Sequence, residues 1–174
     1  LVPSDDGSRR LQCEHQATIR NADAGIGKRR QAVHRDFDSQ TLAAELIARA
    51  HALAPTLAQR AEQAEQGARV PEQTVADMQA AGFFKVLQPR RYGGYELDPQ
   101  TFFDIQMALA KGCMSTAWVY GVIGVHNWQL ALFDARAQQE VWGEDPATLI
   151  ASSYMPVAKV TTVEGGFRVS GHWK

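Results

Sequence analysis

A change of hydrophobic period near Pro146 constrains this chain more than any other feature: upstream, apolar residues recur at helical spacing, and downstream they alternate. Leu42, Leu46, Ile47, Leu53 and Leu57 predict an amphipathic helix capped by Asp38 or Ser39, with Pro55 kinking it because proline lacks a backbone donor. Val75, Met78 and Ala81 predict a second helix, opened by Pro71 and closed by Gly82. Residues 99–111, with Phe102, Phe103, Ile105, Met107 and Leu109, predict a third. A fourth, capped by Ser115 or Thr116, runs through Trp118 and Val122 toward Phe133 and is apolar on most sides, so it must be surrounded by other helices or by a partner chain. Asp134 to Trp142 predicts one more helix, stopped by Gly143. Residues 148–154, 159–163 and 167–173 then read as strands, the last two joined by a turn at Glu164-Gly165-Gly166, and alternation in the last predicts one buried face. The fold class is therefore mainly α, with the first strands of a β-region at the end.

Three segments follow: a head over residues 1–38, a helical domain over 39–145, and the start of a β-domain over 146–174. The head mixes acidic and basic residues with few large apolar ones and reads as disordered, or as a leader outside the domain. Its Ala24-Gly25-Ile26-Gly27-Lys28 lacks the spacing of a phosphate loop. A 174-residue chain with 45% hydrophobic content can bury a sizeable core. A net charge of -1 offers no basic surplus for nucleic acid or an anionic membrane. The longest apolar stretch, residues 117–132, is broken by Gly121, Gly124, His126, Asn127 and Gln129, short of the roughly 20 apolar residues of a membrane span. Two cysteines make neither a disulfide framework nor a metal site, which fits a cytoplasmic setting.

Chemistry concentrates around an apolar helix with one histidine, His126, followed by the polar run Ser152-Ser153-Tyr154. A lone histidine on such a helix is by default a core residue, and the serines can be ordinary strand residues. Trp118, Tyr120 and Trp128 line either an aromatic cleft or the core. Glu140, Glu144 and Asp145 sit near a helix end and read as solvated.

The run of motifs Ala81-Gly82-Phe83-Phe84, Leu87-Gln88-Pro89, Tyr92-Gly93-Gly94, Ser115-Thr116-Ala117-Trp118, Gly124-Val125-His126-Asn127-Trp128, Glu140-Val141-Trp142-Gly143 and Ile150-Ala151-Ser152-Ser153-Tyr154 closely resembles the oxygenase components of two-component flavin-dependent aromatic monooxygenases. The likeness is nearest to the steroid-ring phenol and 4-hydroxyphenylacetate hydroxylases, which share the acyl-CoA dehydrogenase fold. It implies a reduced flavin, FMNH2 or FADH2, supplied by a separate reductase, and O2 activated as a flavin hydroperoxide that hydroxylates a phenol. By the same resemblance His126 stands beside the substrate hydroxyl as a catalytic residue with Ser153, and Ser152, Ser153 and Tyr154 meet the flavin. Trp118, Tyr120 and Trp128 would line the substrate site. The resemblance also implies a homotetramer, and a C-terminal helical bundle with a second histidine that this sequence does not contain, so the chain alone is expected to be inactive. Two rivals stand beside it. An acyl-CoA dehydrogenase proper would carry a Thr-Glu-Pro-like segment where this chain has Ser153-Tyr154-Met155-Pro156, and a non-catalytic helical module would use the apolar face of residues 117–133 for a partner.

Overall fold

The computed structural model describes residues 24–172, with side chains from Asp38 onward, and the chain divides between Phe37 and Asp38. Six helices come first: α1 (Ala24–Gln59), α2 (Ala61–Gln66), α3 (Glu72–Ala80), α4 (Pro99–Ala110), α5 (Met114–Ala131) and α6 (Ala135–Trp142). An antiparallel hairpin, β1 (Lys159–Val163) and β2 (Gly166–Ser170), follows. The first helix starts well before the predicted cap at Asp38 or Ser39. Extending a helix costs far less than starting one, and Lys28, Arg29, Arg30, Gln31 and Ala32 are good helix formers, so α1 reaches back through part of the predicted head. The first 23 residues of that head lie outside the described residues.

The core sits between α1, α3, α4 and α5. Leu46, Ala50 and Leu57 from α1 meet Met78 from α3, Phe102, Ile105 and Leu109 from α4, and Ala117 and Tyr120 from α5. Phe83, Phe84 and Val86, in and after a tight 3-10 turn that follows Gly82, fill the space between these helices. Gly82 takes the left-handed conformation (φ 85°) that ends α3, as its position in the sequence predicts. Asp98 caps α4 by accepting from Gln100 N at 2.8 Å, and Asp134 caps α6 by accepting from Arg136 N at 2.9 Å. Cys113, with no capping side-chain bond, precedes α5 in place of the predicted Ser115 or Thr116.

Within this chain α5 buries Thr116, Ala117, Tyr120, Gly124, His126 and Asn127 and leaves Met114, Trp118 and Trp128 exposed, the side for which the sequence asks a further helix or a partner chain. Two expectations are corrected. Residues 148–154 are not a strand, because no neighbouring strand among the described residues offers them a ladder, and side chains anchor them instead. The hairpin itself forms as predicted, turned at a left-handed Gly165, but every residue of both strands is exposed, so the expected buried face of β2 is absent.

Candidate functional site

The last turns of α5 present His126, Gln129 and Leu130 on one side, since residues three and four apart share a helix face. Leu132 and Phe133 follow the helix end, and residues 150–154 cross in front of it. Together with Trp128 they enclose an open, mainly apolar hollow of about 730 Å³, a size suited to an aromatic ring system.

His126 is buried, and both ring nitrogens are engaged. Its Nδ1 meets the Val122 carbonyl one turn back. A carbonyl only accepts, so Nδ1 carries a proton, and in the neutral tautomer that this selects Nε2 is the acceptor. Ser152 Oγ lies 2.5 Å from Nε2 and donates its hydroxyl proton there; if the ring gains a second proton, Nε2 donates to Ser152 Oγ instead. Tyr154 extends the arrangement: its ring lies over His126 with a 27° interplanar angle and a 6.2 Å centroid separation, and its hydroxyl donates to Gln129 Oε1 at 3.0 Å. Ser153 Oγ accepts from Met155 N at 3.3 Å.

His126, Ser152, Ser153, Tyr154 and Trp128 are thus gathered at one hollow. The serine that pairs with the histidine is Ser152 and not Ser153, because Ser153 is turned to its own local backbone. Tyr120 is withdrawn from the site: it is fully buried among Phe83, Phe84 and Phe102, with its hydroxyl 3.4 Å from Phe83 O. Burial there holds its phenol well above the ordinary value of 10.0. Trp118 is 70% exposed and does not line the hollow, lying two helical turns, about 12 Å along the axis, before His126.

Residue reading overlooked Gln129, which holds Tyr154, and Asn127, which is buried and donates Nδ2–H to Phe84 O at 2.6 Å. A signal existed: two polar amides flanking His126 and Trp128 in an apolar helix need partners. Among the described residues no group of three or more His, Cys, Asp or Glu is placed to hold a metal, and no helix is long and apolar enough to cross a membrane.

This helical arrangement is that of the N-terminal domain of acyl-CoA dehydrogenases: the family model of that description matches residues 44–148, and the chain belongs to this family. Within it, the chain is similar to oxygenases. It is 50% identical over 121 residues to the flavin-dependent monooxygenase oxygenase subunit HsaA of Mycobacterium tuberculosis, covering 70% of this chain and 31% of that protein. It is 35% identical over 128 residues to the FADH2-dependent resorcinol hydroxylase oxygenase component of a Rhizobium species, covering 74% of this chain and 31% of the other. The crystal structure of the M. tuberculosis HsaA monooxygenase superposes with a TM-score of 0.71 at 47% identity, covering 74% of this chain and 34% of that one. The chain therefore spans about a third of the length of these relatives.

Proposed function

We propose that this chain is the N-terminal part of the oxygenase component of a two-component, reduced-flavin-dependent monooxygenase that hydroxylates a phenolic substrate with O2. The His126–Ser152 pair at the apolar hollow carries the reading. A phenol entering there donates its proton to Ser152 Oγ while the serine hydroxyl passes its own to His126 Nε2, leaving a phenolate whose ring is richer in electrons. Val122 O holds Nδ1–H throughout, so the imidazolium that forms is fixed in place. The apolar walls, including Leu130, Phe133 and Ile150, give an aromatic ring a surface to pack against.

The hollow and its hydroxyls fit the edge of a flavin as well as a phenol, with Ser153 and Tyr154 as its contacts on this chain. Reduced flavin, FADH2 or FMNH2, would supply the electrons that activate O2. FADH2 is the form named for the Rhizobium relative. A separate flavin reductase, a homotetrameric full-length protein and a cytoplasmic setting complete the reading, and the chain alone is expected not to turn over. A chimera tests it. Residues 40–154 are exchanged into the M. tuberculosis relative in place of its aligned segment, and the product is supplied with chemically reduced flavin, air and a phenol. A hydroxylated product supports the reading; a folded, flavin-binding chimera that forms none refutes it.

A further inference from the structure

The segment that carries Ser152 has no regular structure between the end of α6 and the start of β1, so no helix or ladder sets where its hydroxyl lies. Its place must come from side chains that grip it. Two grips flank Ser152: Gln129 holds Tyr154 after it, and before it the grip is at Pro146 and Ala147. Gln88 donates Nε2–H to Pro146 O at 2.9 Å and to Tyr92 O at 3.1 Å, and Gln79 donates Nε2–H to Ala147 O at 3.3 Å. Gln79 is exposed and its bond competes with water, whereas Gln88 is only 2% exposed and its bond does not.

Gln88 is itself fixed on every side. Its carbonyl accepts Glu96 N–H at 3.1 Å, and Gly94 presses so close that a Cβ there would stand 2.0 Å from Gln88 O. Gly93 leaves the Tyr92-Gly93-Gly94 turn against Pro146, and Asp145 folds the start of the segment by accepting Ala147 N–H at 2.8 Å. Beyond this grip, Leu149 seats against the core, and three residues later Ser152 meets His126. The Leu87-Gln88-Pro89 and Tyr92-Gly93-Gly94 motifs, none of whose residues lines the hollow, thus acquire a purpose.

We propose that Gln88 is a positioning residue of the site: its bond to Pro146 O sets the incoming side of the crossing segment so that Ser152 reaches His126 Nε2. The catalytic meaning of that contact rests on the hydroxylase reading above, but the positioning itself does not. It is read in this chain by NMR, without turnover. In the wild-type chain, nuclear Overhauser contacts join Ser152 Hβ to the His126 ring, and His126 Nε2 resonates as a hydrogen-bonded acceptor. In Gln88→Met, which keeps length and burial but removes both donors, these contacts are lost and the Nε2 resonance shifts toward that of a solvated ring, while Nδ1–H stays protected against Val122 O. Contacts kept at full strength in a folded Gln88→Met chain overturn the proposal. If Gln88→Met does not fold, the wild-type chain carries the test on warming. The Gln88 side-chain amide protection and the Ser152–His126 contacts then disappear together, before the core signals of Phe83 and Tyr120; a Ser152–His126 contact that outlasts the protection of Gln88 overturns the proposal. Failure of the hydroxylase reading would leave these NMR outcomes unchanged.

Discussion

At position 94 the backbone leaves no room for a side chain, since a Cβ would lie 2.0 Å from Gln88 O and 2.3 Å from Gln88 C, backbone atoms that cannot swing aside. Gly94→Ala is expected to cost about 2 kcal/mol or more in urea unfolding, the scale of overpacking against a rigid neighbour. Tyr120 is bound to the opposite consequence of burial. Its phenol is held protonated in the folded chain well above 10.0, so the unfolded chain releases that proton first as pH rises. The stabilisation is complete below about pH 10 and is lost as pH climbs from there toward the raised folded value. Tyr120→Phe, measured by unfolding at pH 8 and pH 11, should flatten the alkaline decline while costing only about 0.5–1.5 kcal/mol at pH 8 for the lost hydroxyl bond.

Helix ends and inter-helix ties govern the next scale. Asp98 and Asp134 each accept a backbone N–H two residues on, and Asp98→Ala or Asp134→Ala should each lower stability by about 1 kcal/mol in thermal or denaturant unfolding. Arg60, just after α1, reaches Asp77 of α3 at 2.6 Å. The side-chain bond from Arg60, helped by Gln73, keeps the Asp77 carboxyl below its ordinary 3.8. That contribution is present above about pH 3.8 and is lost as pH falls through the lowered folded value. Asp77→Asn should therefore lose about 0.2–1 kcal/mol near neutrality and show a shallower acid limb, in unfolding curves taken from pH 2 to pH 7. Helices such as α4 were legible in the sequence because they bury one stripe, with Phe102, Ile105 and Leu109 turned inward and Phe103 and Met107 turned out, whereas α2, which buries no residue, left no such signal. Helix starts were less legible, as at Ala24 and Cys113, where tertiary packing and helix extension outweigh local capping signals. Of the site, His126, Ser152 and Tyr154 were singled out by the family resemblance, because polarity alone leaves a lone histidine on an apolar helix reading as core. The pairing of Ser152 in place of Ser153 depends on a crossing segment without regular structure, whose path no periodicity encodes, and the burial of Tyr120 depends on how Phe83, Phe84 and Phe102 pack against α5.

Across the whole molecule, stability and exposure are unevenly spread. The α4–α5 pair is packed through Phe102, Ile105, Ala117 and Tyr120, while both strands of the hairpin are exposed throughout and, among the described residues, pair with no other strand. Amides of β1 and β2 should exchange with deuterium orders of magnitude faster than those of Ile105, Leu109 and Tyr120, because an isolated two-stranded hairpin is marginal in water. At this scale the helices present His126, and a crossing segment without regular structure brings Ser152 to it. The most direct measurement is the hydroxylation rate of the chimera described above, with His126→Ala beside the unaltered histidine, chemically reduced flavin and a phenol in air. Product formation should fall by about a hundredfold, with O2 consumption diverted to hydrogen peroxide and the affinity for reduced flavin little changed. An undiminished product rate in His126→Ala would remove the histidine, and the proton path through Ser152, from the chemistry.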